Sequence, residues 1–189
     1  MSFRKMIPMV AGVGMVVLAG LGVALADEPM QSLRAGSLAL KAPAAWKSEK
    51  PKSAMRQLQV KVPAAPGDSE PGEMTVFAFP GGAGSKEANI KRWEEMFVDG
   101  EKNTAKAKVE ERKGANVPVT RIEIAGRYVA TAMPGAGGPK ADNPNYRLLG
   151  AIVETKTTGY FFKLVGPDKT LKAASKGFDD MIASMTLED

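Results

Sequence analysis

The chain opens with an export signal yet contains no cysteine, and this pairing limits its fold more than any other feature. Small exported domains commonly rely on disulfides. Without them, a domain here must be held by a hydrophobic core large enough to suffice alone. A length of 189 residues, 44% of them hydrophobic, supplies one such domain and hardly two. Histidine is absent as well. Thiol nucleophiles, Cys/His zinc sites, iron–sulfur clusters and imidazole bases are therefore excluded from this chain's own side chains, and with them the Ser–His–Asp and Cys–His enzymes.

Arg4 and Lys5 form a positive start, and the run from Met6 to Ala26 is uncharged. It ends in Ala24-Leu25-Ala26 before Asp27 and Glu28, the small-residue pattern that a signal peptidase accepts. At about 1.5 Å per residue the run is also long enough to cross a ~30 Å hydrocarbon core as an uncleaved anchor. Pro8 and the glycines at 12, 14, 20 and 22 argue for cleavage. The expected organisation is a signal peptide at 1–26, an N-terminal linker at 27–36 and a single α+β domain at 37–189. No later segment is apolar enough to span a bilayer, so a periplasmic or secreted product is expected. The net charge of +5 is interleaved with acids, as in Glu101, Lys102, Lys106, Lys108, Glu110, Glu111, Arg112 and Lys113. Nucleic-acid binders gather basic residues on one face, so no nucleic-acid partner is expected.

Strand periodicity marks Ser37–Leu40, Arg56–Val62 and Glu73–Phe79, the last apolar on both faces. Pro63 to Gly72 reads as the loop of a hairpin. The run Gly81-Gly-Ala-Gly-Ser85 precedes a helix carrying Ile90, Trp93 and Phe97, with Ser85 as N-cap and Gly100 as stop. Val117–Ile124 and Arg127–Ala132 read as two strands around Ala125-Gly126, with a further strand over Lys106–Lys113. A loop then runs from Pro134 to Asn145. The most apolar strands, Arg147–Glu154 and Tyr160–Val165, are joined by the turn Thr155–Gly159. From Asp168 or Thr170 a closing helix carries Leu171, Ala174, Phe178, Met181, Ile182 and Met185 at helical spacing to the end. This order predicts an α+β fold, a mostly antiparallel central sheet with helices packed on its faces.

Particular residues carry a resemblance. They are Pro43-x-x-Trp46, Met55-Arg56, Val76-Phe77 with Gly81-Gly82, Asn89-Ile90-x-Arg92-Trp93, the run Leu148 to Glu154, and Phe161 to Pro167 with Thr170. Together they resemble an uncharacterised family of secreted bacterial proteins. That family is similar to the PsbP-like α/β/α sandwich, a fold shared by photosystem extrinsic subunits, a Ran-binding import factor and mycobacterial LpqN-like proteins. The resemblance implies a binding or assembly role and transfers no catalytic residue.

Each chemical constellation has a plainer reading. Gly81 to Lys86 departs from a P-loop, because Ser85 separates Gly84 from Lys86 and Glu87 stands where a hydroxyl is needed. Asp68, Glu70 and Glu73, and likewise Asp142, Asn143 and Asn145, lack EF-hand spacing and suit turns. Trp93 falls on the apolar stripe of its helix, and Trp46 is placed at an edge of the core. The adjacent pairs Ser85-Lys86 and Ser175-Lys176 point apart on a helix. Tyr146 and Arg147 close the long loop with a ring and a cation, the residue types of an interface hot spot, and are the candidate partner-binding residues. The expected function is an exported, non-enzymatic binding or assembly module without cofactor or metal, its partner a protein, lipid or envelope component. The alternative is an envelope hydrolase using carboxylates or Ser/Lys.

Overall fold

The computed structural model describes residues 28–129 and 141–188. In chain order these form β1 (Met30–Ala35), β2 (Leu38–Pro43), β3 (Lys47–Glu49), β4 (Arg56–Val62), β5 (Gly72–Pro80) and α1 (Lys86–Glu94). There follow β6 (Phe97–Val98), β7 (Lys108–Lys113), β8 (Pro118–Tyr128), β9 (Asn143–Glu154), β10 (Thr158–Pro167), α2 (Asp168–Ala183) and β11 (Thr186–Leu187). The expected signal peptide at 1–26 and the expected loop from Pro134 as far as residue 140 lie outside the described residues, as do residues 130–132 of the expected strand Arg127–Ala132.

The main sheet runs β3-β4-β5-β10-β9-β8-β6, with β7 also pairing with β8, and a small sheet runs β1-β2-β11. All described pairings are antiparallel. Alternation of side chains then sorts the core into two clusters. Val60, Met74, Val76, Leu149, Ala151, Phe162 and Leu164 face α2 and the small sheet, meeting Leu171, Phe178 and Met181. Ile122, Ile124, Leu148, Ile152 and Phe161 face the other way, under Trp93 of α1 and Phe97 of β6. β9 and β10 are apolar on both faces because both faces are covered. The expected α+β sandwich, an antiparallel sheet with a helix on each face, is the fold observed.

The ends of elements differ from expectation for identifiable reasons. The expected linker at 27–36 contains a strand: Met30–Ala35 pairs with Leu38–Pro43 across a turn in which Gly36 takes φ 58°. Residues of α1 do not reach Gly100; the helix caps at Glu95, and Phe97 keeps its buried place as part of β6. Ala125-Gly126 is no turn. β8 runs straight through it, with a register irregularity between Gly126 and Tyr128. A Cβ at Gly126 would lie 2.4 Å from the Val98 carbonyl oxygen, so glycine there admits β6 against the strand. After α2 the chain turns out at Ser184, and Thr186–Leu187 joins β2 as a third small strand.

α2 has no side-chain cap at its own first position, Pro167. Asp68, in the β4–β5 loop, accepts the Thr170 backbone N–H at 2.9 Å and its hydroxyl at 2.6 Å. A distant loop thus satisfies one of the helix's orphan donors.

Candidate functional site

Beside the α1 cluster, the same face of the main sheet opens into a recess of about 300 Å³. Its position follows from strand register. Lys163 on β10 lies opposite Thr75 of β5, and Val165 opposite Glu73, so these side chains share one face. Phe77 extends that face along β5, and Arg56 reaches it from β4, opposite Phe77. Tyr146 of β9 and Tyr128 of β8 complete the wall; their rings are stacked at 6.1 Å, 9° from parallel. Opposite Lys163 on its other side is Gly150, whose missing side chain leaves room for Trp93.

Charges in the recess are unequally satisfied. Glu73 accepts from Lys52 at 2.9 Å, Arg56 at 3.3 Å and Gln59 at 3.3 Å. Arg56 also donates to the Gln59 side-chain oxygen Oε1 at 2.8 Å, and Gln59 is buried. Lys163 has no side-chain hydrogen bond or ion pair to any described residue. Its burial lowers its pKa, and the nearby Arg56 cation adds to the effect while Glu73 opposes it. Burial raises the phenol of Tyr128, with Glu73 contributing. Tyr146 is pushed up to about 12 by burial and by its hydrogen bond to Glu70. An ammonium drawn partly out of water, making no ion pair with a described residue and walled by rings, is suited to hold an anionic group.

The candidate pair Tyr146 and Arg147 is divided by the sheet. As neighbours on one strand they point to opposite faces. Tyr146 borders the recess, whereas Arg147 lies on the α2 side, bound to Glu123 and, at 2.7 Å, to Asp168. There it joins Arg121, whose side chain is 5% exposed and pairs with Glu123 at 2.8 Å and Asp179 at 2.6 Å. This ion-pair chain fastens α2 to β8 and β9.

The other constellations separate into structural roles. Asp68 caps α2, Glu70 holds Tyr146 and Glu73 holds Arg56, so the three acids serve three different partners. Asp142 pairs with Arg127 at 2.5 Å. No group of three or more His, Cys, Asp or Glu is placed to hold a metal ion among the described residues. Ser85 caps α1 by accepting the Ala88 N–H at 3.1 Å, while Lys86 pairs with Glu111 at 2.9 Å. Ser175 accepts from Arg121 and Lys176 pairs with Asp180, so neither Ser/Lys neighbour pair acts together. Trp46 and Trp93 are both buried, one in each core cluster. Asn89 ties the Gly-rich turn to α1, donating to the carbonyls of Ala83 and Ser85 at 3.0 and 2.9 Å. Lys163 escaped the sequence reading; the available signal was a cation between Phe162 and Leu164 in one of the chain's most apolar strands.

An antiparallel sheet carrying α2 and a small sheet on one face and α1 on the other defines a PsbP-like fold. The cyanobacterial PsbP (CyanoP) of Synechocystis sp. PCC 6803 matches with a TM-score of 0.51 and 14% identity, over 88% of this chain and 95% of its own. A Bacteroides thetaiotaomicron protein is similar at TM-score 0.45 and 13% identity, over 87% of this chain and 50% of its own. A Pseudomonas aeruginosa protein of unknown function is similar at 0.47 and 12%, over 85% and 98%. No protein-family model and no curated protein matches the chain. Among the described residues no helix is long and apolar enough to cross a membrane.

Proposed function

We propose that the chain is an exported, non-enzymatic binding or assembly module of the cell envelope, periplasmic or secreted after cleavage behind Ala26, which presents the recess around Lys163 to its ligand. The observation that carries this reading is the Lys163 ammonium, held in an aromatic-walled recess with no described residue to pair with. Concave sites with a few placed polar groups are where proteins bind small ligands. A hydrolase using two carboxylates has less support, since the recess lining includes one acid, Glu73, already engaged by Lys52 and Arg56. The test is capture of lipids and proteins from the native envelope by the wild-type protein and by Tyr146→Ala. Components retained by the first and lost from the second support the module. Identical retention by both, or none by either, overturns it.

A further inference from the structure

Resting on that reading and deepening it, we propose that the recess takes a small monoanionic carboxylate with a flat apolar body, the carboxylate seated on Lys163 and the body against Phe77 and Tyr128. Charge balance selects the anion. The lining holds two cations, Arg56 and Lys163, against one anion, Glu73, and Glu73 is already engaged by Lys52 and Arg56, whereas Lys163 makes no ion pair with a described residue. The lining's single net positive charge is balanced by one negative charge. A phosphate dianion would bring a surplus charge beside Glu73, where partial burial makes like-charge repulsion expensive. The walls select the body: Phe77, Val165 and the ring carbons of Tyr128 are apolar, and the Tyr146 hydroxyl is already given to Glu70. A volume of 300 Å³ stands at the lower end of small-molecule sites. The lowered pKa of Lys163 agrees with this geometry, since a bound anion would restore what burial removes.

Benzoate, its neutral counterpart benzamide, and inorganic phosphate are the probes, titrated into the purified protein with calorimetry and backbone amide shifts as readouts. Benzoate is expected to bind saturably, with shifts centred on Lys163, Tyr128 and Tyr146. Benzamide is expected to bind about ten- to a hundredfold more weakly, the loss of one charge-assisted hydrogen bond. Lys163→Met should weaken benzoate by a similar factor, leave benzamide unchanged and be restored in part by Lys163→Arg. Equal binding of benzoate and benzamide, indifference to Lys163→Met, tighter binding of phosphate than of benzoate, or no binding at all would each overturn the proposal. The comparison of benzoate with benzamide on the wild-type protein holds even where a variant fails to fold. Envelope capture that still depends on Tyr146 would then leave the module reading standing without this ligand class.

Discussion

At the scale of single residues, the recess and the core around it are set by two positions that are neighbours across β9 and β10. Gly150 has no side chain because Trp93 occupies the place; a Cβ would sit 2.5 Å from its ring. Gly150→Ala is therefore expected to destabilise by about 1–3 kcal/mol through overpacking, measured by chemical denaturation. A change below the error of that measurement would show that Trp93 gives way freely. Lys163 faces Gly150 with the opposite problem, an ammonium partly withdrawn from water and unpaired by any described residue. Replacing it with the apolar Lys163→Met should raise stability by about 1 kcal/mol, even as it removes the proposed anion seat. A loss of stability instead would mean that the charge is satisfied in the free protein. Position 163 was legible in the sequence as a strand residue. Its chemistry was not, because that depends on which neighbours the register of β5, β9 and β10 brings alongside.

Elements show the same division between local and distant causes. β4 was legible to its last residue because alternation of Leu58, Val60 and Val62 is a local property. The start of α1 was legible from Ser85 and that of α2 at Asp168, the first of the two expected positions, but α2 takes its cap from Asp68, far away in sequence. Asp68→Ala is expected to cost about 1 kcal/mol or somewhat more, since it also strands the buried Thr170 hydroxyl with only Ala65 as partner. Hydrogen exchange in the first turn of α2 should quicken more than exchange in β10; equal effects on both would show that the cap acts only through global stability. The elements that sequence reasoning missed, β1, β3, β6 and β11, are all short or peripheral, whereas β8 was cut in two at Ala125-Gly126 because a glycine admitted for close packing reads locally as a turn. Two- and three-residue strands carry too few alternations to be read, and exist because a partner edge is presented to them. For the same reason the site was only half legible: Tyr146 borders the recess as a candidate, while Arg147 belongs to the opposite face once the strand's pleat is imposed.

Over the whole molecule, the two faces of the sheet use charge differently. On the recess side a cation is left unpaired by the described residues; on the α2 side charges are joined in a continuous chain. Arg121 bridges Glu123 and Asp179, Arg147 bridges Glu123 and Asp168, and Lys172 completes Asp168 at 2.8 Å. Burial would raise the Asp168 carboxyl, but hydrogen bonds from Lys172 and Arg147 outweigh it and hold the group below its ordinary value. A carboxyl whose pKa is lower folded than unfolded stabilises the fold above the unfolded value, about 3.9 for aspartate, and that contribution disappears as pH falls through the folded value. Acid should therefore loosen the docking of α2 against β8 and β9. Denaturation curves at pH 7 and at steps below about pH 4 are expected to show wild-type stability falling, and Asp168→Asn, which cannot titrate there, falling less. The variant should start lower at neutral pH, because Arg147 and Lys172 lose their anion. If both proteins lose stability in parallel across that range, the acid response belongs to other carboxylates and the Asp168 link does not govern how α2 is held.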